Sequence, residues 1–163
     1  YKHPIHGTSY IFVMSKSRNE TQRVRDLIDG EADKGLYDPK TYTEYAEKCY
    51  KVAELFARTI RLYRERGIPV VGYGAPAKGN TLMNFAEEGP DFIVEDNPLK
   101  QMLFTPGLGG YLTLNYFETQ PVCFVPLAWN FYDEIVSKIK AIRPAHTHKD
   151  IFIRYFPNFV IDE

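Results

Sequence analysis

Residues 68–81, IPVVGYGAPAKGNT, leave the backbone few paths. An apolar run, Ile68 to Val71, enters a turn bounded by Gly72 and Gly79, and Leu82, Met83 and Phe85 then recur at helical spacing. Strand, tight loop and helix in that order build doubly wound sheets. In such sheets a ligand sits outside the carboxyl end of a strand, against a helix N-terminus. The unpaired N–H groups of the first helical turn and the ammonium of Lys78 favour an anion there, most often a phosphate. The candidate contacts on this stretch are Tyr73, Gly74, Ala75, Lys78, Gly79 and Asn80.

The spacing also excludes chemistries. Gly74 and Gly79 stand as far apart as the glycines of a P-loop, but Asn80 and Thr81 follow where Lys-Ser/Thr is required. That disfavours a nucleoside triphosphatase. Gly72-x-Gly74 with Ala77 is a poor dinucleotide fingerprint, because alanine fills the third small position and Pro76 intervenes. On spacing alone, a plain turn that contains a lysine is an equal reading.

The remaining segments extend the pattern. Residues 9–14 read as a strand, and 15–37 as a charged connector with a short helix over 20–29 ended by Gly30. Asp38 suits a helix N-cap and Pro39 the first helical position. From there Tyr42, Tyr45, Ala46, Cys49, Val52, Ala53, Phe56, Ile60 and Tyr63 form one stripe of a helix of about 27 residues, which Gly67 ends. Phe92 to Val94, 111–114, the apolar run Pro121 to Ala128, and Ile151 to Ile153 with Tyr155-Phe156 before Pro157 read as further strands. Pro126 points to a strand end or a bulge. A helix from Phe131 to Arg143 places Phe131, Ile135, Ile139 and Ile142 on one face, with Asn130 as its cap. The sum is an α/β fold, an open and mostly parallel sheet of about four or five strands with helices on both faces.

At 163 residues the chain suffices for one domain with a real core. Twenty basic and 21 acidic residues argue against general nucleic-acid or membrane-surface binding. Cys49 and Cys123 read as buried thiols of a reducing compartment, although a disulfide is open. Residues 1–15 contain no apolar run of leader length and no run spans a bilayer, so a cytoplasmic location is expected. His146 and His148 lack partners at metal spacing, so no metal is assigned.

Four segments, in order, resemble one family: Pro4-Ile-His-Gly7, Gly72 to Leu82, Asp96 to Gln101 with Thr105-Pro-Gly107, and Leu127-Ala-Trp-Asn130. Together they look like the C-terminal domain of S-adenosylmethionine-dependent C-methyltransferases acting on nucleotide-linked deoxysugars. The resemblance implies a Rossmann-like domain over 38–163, preceded by the tail strand of a methyltransferase domain over 1–14. It implies a longer enzyme in which a zinc module and a middle, methyl-donor-binding domain precede this one, and in which the general base lies in the middle domain. Neither S-adenosylmethionine nor another cofactor is then expected in this chain, which alone is expected to be inactive. The sugar nucleotide would meet Lys78 and the Gly74-to-Asn80 amides, with Asn97, Lys100 and Gln101 lining the crevice from the next strand end. Trp129 would stack on a base or sugar, or else serve as a core tryptophan. Asn130 reads as a cap before a ligand, and His6 as a possible active-site residue or a plain surface histidine. The family's usual Gly-Gly-Ser-Leu-Arg is here Gly7-Thr8-Ser9-Tyr10-Ile11, and its Thr-His-Ile-Pro is Leu108-Gly109-Gly110-Tyr111. Two rivals are a non-catalytic nucleotide- or nucleotide-sugar-binding module and a nicotinamide-dependent oxidoreductase fragment; the glycine pattern counts against the latter.

Overall fold

The computed structural model describes residues 2–3, 9–17, 20–107, 111–112, 120–143 and 149–162. His6, Thr8, Gly109, His146 and His148 lie outside these residues. The chain divides into two compact units, Tyr1–Lys48 and Cys49–Glu163, with the division inside one long helix.

The first unit contains β1 (Lys2–His3) and β2 (Ser9–Tyr10), paired antiparallel, and α1 (Gln22–Asp33). The strand predicted over 9–14 stops at Tyr10. The ladder is two residues long, and the apolar side chains beyond it find no core: Phe12, Val13 and Met14 are 80%, 81% and 92% exposed. α1 likewise corrects the expected stop at Gly30, since it runs on to Asp33. A glycine inside a helix costs only about 1 kcal/mol relative to alanine. The chain turns instead at Gly35, where φ is +70° and the N–H donates to Ala32 O at 2.8 Å.

α2 (Pro39–Glu65) starts as its sequence requires. The Asp38 carboxylate accepts the Lys40 N–H at 2.9 Å, satisfying a first-turn donor. At the other end Gly67 takes φ +71°, and the Ile68 N–H returns to Tyr63 O at 3.0 Å. Only the later part of the predicted stripe is buried, Ala53, Phe56, Ile60 and Tyr63, joined by Ala57 and Thr59. Tyr42 and Tyr45 remain exposed. Near its end the partly exposed Arg64 donates to Asp91 Oδ1 at 2.7 Å and Gly89 O at 2.9 Å.

The second unit is built on a six-stranded sheet. The added strands are β3 (Val70–Tyr73), β4 (Phe92–Val94), β5 (Tyr111–Leu112), β6 (Cys123–Pro126), β7 (Ile151–Arg154) and β8 (Val160–Asp162). Their order is β5-β4-β3-β6-β7-β8. All neighbours are parallel except β7 and β8, which the sequence pattern did not announce. Pro126 ends β6, where its missing N–H breaks no ladder bond further on.

Successive strand residues feed opposite faces. Val70, Ile93, Cys123, Val125, Ile151 and Ile153 pack with Phe56, Ile60 and Tyr63 of α2 and with Met83 of α3 (Ala77–Ala86). Val71, Tyr73, Val94, Phe124 and Phe152 pack with Tyr132, Ile135 and Ile139 of α4 (Tyr132–Ile142). Helices therefore cover both faces, as the alternation of apolar runs and amphipathic segments predicts. Of the predicted face of α4, Ile135 and Ile139 are buried and Tyr132 joins them, while Ile142 and Phe131, which falls in the turn before the helix, are about half exposed.

Candidate functional site

The chain runs outward from β3 to β4 and β5, then returns to β6 on the other side of β3. The strand order thus reverses between β3 and β6, and a crevice at their carboxyl ends is where open α/β sheets take ligands. Two segments meet there: the turn from Tyr73 into α3, and the chain leaving β6 through Leu127, Ala128 and one turn of 3-10 helix at Trp129–Phe131.

Glycine is required twice in this meeting. A Cβ on Gly79 would stand 2.8 Å from Leu127 Cβ, so α3 approaches the β6 exit closely. Gly74 takes φ +80°, which turns the chain sharply off β3. Leu127 is held on its other side by its N–H to Tyr73 O and by Tyr155 Oη, which donates to Leu127 O at 2.6 Å.

This packing brings Lys78, Trp129 and Asn130 together. The Lys78 ammonium donates to Asn130 Oδ1 and lies 4.7 Å from the Trp129 ring centroid. Trp129 also contacts Phe156, with ring centroids 4.4 Å apart. Asn130 is not the cap expected of it: α4 has no side-chain cap, because the 3-10 turn intervenes and the Asn130 amide faces Lys78. Among the described residues Lys78 forms no ion pair, unlike Lys100 and Lys138.

The other predicted contacts form a separate knot. The Gly74 N–H donates to Val94 O at 2.7 Å, and the Ala75 N–H to Glu95 Oε2 at 2.8 Å. Lys100 Nζ donates to Ala75 O at 3.2 Å and lies 3.8 Å from Glu95. Gln101 donates to Glu95 O, while Asn97 Oδ1 accepts the Leu99 N–H. Asn97, Lys100 and Gln101 thus brace the end of β4 against the Gly74–Ala75 corner. The two amides expected to face a ligand there are already occupied. What is left for an anion is the first turn of α3, Ala77 to Gly79, which no side chain among the described residues caps. Asn80 follows, its Oδ1 buried and, among the described residues, without a hydrogen-bond partner.

Tyr73 points to the α4 face. Its hydroxyl donates to Asp96 Oδ2 at 2.8 Å, and Lys138 Nζ donates to the same oxygen at 2.6 Å. Burial, reinforced by Asp96, raises the Tyr73 phenol above its ordinary value against the opposing pull of Lys138. Burial would raise the Asp96 carboxyl too, but the hydrogen bonds from Lys138 and Tyr73 outweigh it and hold the carboxyl below the usual range. Glu95, Lys138 and Phe156 were not among the predicted site residues. A carboxylate at a strand end was visible in the sequence; the partners of Lys138 and Phe156 are separated from them by too many residues to leave a local signal.

Comparison with known proteins gives the family. The profile of the family described as C-methyltransferase C-terminal domain matches residues 4–157. The chain belongs to that family. A relative of this C-methyltransferase C-terminal domain is the C-methyltransferase NovU of Streptomyces niveus, 26% identical over 144 residues that cover 83% of this chain and 34% of NovU. The chain therefore spans about a third of the length of the curated relative it matches. Both the α3 turn and the Trp129–Asn130 turn of the C-methyltransferase domain fall within the matched residues.

Proposed function

We propose that this domain binds a nucleotide-linked deoxysugar and orients it for methyl transfer to a sugar carbon. One observation carries the reading. Lys78, a cation with no carboxylate partner among the described residues, converges with Trp129 and Asn130 where the strand order reverses. Its ammonium and the first-turn amides of α3 suit a diphosphate. Trp129 lies beside it, ready to offer its ring to a base or sugar on displacement of Lys78 or Phe156.

S-adenosylmethionine would supply the methyl group when bound elsewhere in the longer enzyme. The residues here do not fit a nucleoside cofactor at the end of β4, where a ribose-binding carboxylate would be needed. Glu95 is tied to the Ala75 and Asn97 N–H groups, and Asp96 to Tyr73 and Lys138. The same engagement counts against a nicotinamide-dependent oxidoreductase. In this reading the proton next to the sugar carbonyl is removed by a base outside this chain, and this domain contributes by fixing the substrate.

Calorimetric titration with dTDP, UDP and GDP tests the proposal, with S-adenosylmethionine and NAD as controls. A nucleoside diphosphate is expected to bind, and Lys78→Ala to weaken it about tenfold or more through loss of a charge-assisted bond. Equal affinity in both proteins, or binding of NAD instead, overturns it.

A further inference from the structure

The opposite, amino edge of the sheet carries a feature that the crevice does not use. A groove of about 610 Å³ opens there below the C-terminal ends of α2 and α4. Its lining includes the apolar Ile68, Pro121 and Ile151 and the basic Arg66, Lys140 and Lys149. Small-molecule sites usually span roughly 300–1,000 Å³, with apolar walls and few polar groups.

The charges in this groove do not cancel. The carboxylate among its lining residues, Asp150, is already held: Arg143 donates to its two oxygens at 2.7 and 2.9 Å, and the Val122 N–H donates to it at 3.1 Å. Among the described residues Arg66, Lys140 and Lys149 form no ion pair. Arg66 lies 5.7 Å from the Tyr63 ring centroid and Lys140 lies 5.4 Å from that of Phe152. Such contacts orient a cation without neutralising it.

Basic residues near helix C-termini often serve the helix itself, by bonding its last carbonyls or answering its dipole. Here backbone N–H groups already take several of those carbonyls. Tyr63 O accepts from the Arg66 and Ile68 N–H groups, Arg64 O from Gly67, and Ile139 O from Arg143. Lys149 belongs to neither helix.

The geometry points to a second ligand site in this groove, for a phosphate monoester whose other part is an apolar-faced body of nucleoside size. Arg66, Lys140 and Lys149 hold the phosphate. Ile68, Pro121 and Ile151 receive the body. The site is independent of the crevice, which lies at the other edge of the sheet.

Adenosine 5′-monophosphate is the probe, titrated calorimetrically into the wild-type chain, the double variant Lys140→Ala/Lys149→Ala, and Lys78→Ala. Adenosine and inorganic phosphate test the two halves of the ligand. Wild type and Lys78→Ala are expected to bind the probe alike. The double variant should bind it about tenfold more weakly or worse with its unliganded melting temperature unchanged, and adenosine and phosphate should each bind more weakly than the whole. Should the double variant not fold, Arg66→Gln takes its place. Absent binding, unchanged affinity in the groove variants, loss of binding in Lys78→Ala alone, or inorganic phosphate matching the monophosphate would each overturn the proposal.

Discussion

Replacing Gly79 by alanine sets two effects of opposite sign against each other. Alanine is the better helix former by about 1 kcal/mol, and position 79 is inside α3. But the new methyl would stand 2.8 Å from Leu127 Cβ and 3.4 Å from both Leu127 O and Pro76 Cγ. The first of these is about 1 Å inside the usual carbon–carbon separation of about 3.5–4.0 Å. Both Cβ atoms are fixed to backbone, so no rotamer relieves the clash. Relief requires α3 to move off the β6 exit, and overpacking of this kind costs about 3 kcal/mol at the upper end. The net expectation is a loss of about 2 kcal/mol, or roughly 4–8 °C in melting temperature for a chain of this size. Gly30→Ala is the internal comparison, because that position is also helical and has nothing within 4 Å of the added Cβ. It should be neutral or stabilising by up to about 1 kcal/mol. Urea unfolding of both variants decides the matter. Equal shifts in the two, or a more stable Gly79→Ala, would refute the close-packing argument.

Three further expectations follow from buried or paired groups. Arg143→Leu leaves Asp150 buried, at 9% side-chain exposure, without its partner, and should lower stability in urea by about 3 kcal/mol or more; an unchanged midpoint would contradict it. Lys138→Ala should move the Asp96 carboxyl, followed by NMR, back up toward its ordinary value. A depressed carboxyl stabilises the fold above the unfolded-state value of about 3.9 and ceases to do so as pH falls through the native value, so the variant should lose less stability on acidification than wild type. Finally, burial first and Asp91 second push the Cys123 thiol up to about 12, whereas Cys49 is half-buried. At pH 8 a thiol reagent should modify Cys49 promptly and Cys123 only after unfolding; prompt labelling of both would mean that β6 opens readily.

The parts of the fold legible in the sequence were those set by neighbours in the chain. Asp38-Pro39 and Gly67 bound α2, Pro126 marks the end of β6, and the glycines around residue 74 announce a turn between strand and helix. Each of these acts over a few residues. The length of β2 depends on a ladder partner, and β8 is a three-residue strand with every residue exposed, so neither has a pattern of its own. The site divides in the same way. The convergence of Lys78 on the crevice followed from the turn. That Asn130 would face Lys78, 52 residues away, and that Glu95 would take the Ala75 amide, 20 residues away, depends on how strands are ordered.

Because β8 runs antiparallel to β7, the chain comes back across the sheet before it leaves. Asp162 is level with Phe152, at the amino edge, while Val160 lies level with Arg154 nearer the other edge. A fusion joined after Asp162 would thus continue in the direction of the amino edge, where the basic groove opens, and away from the approach to Lys78. Titrations of the crevice tolerate such a handle. Those of the groove need it removed, because an acidic linker would occupy the cations and a polyhistidine tag would add to them.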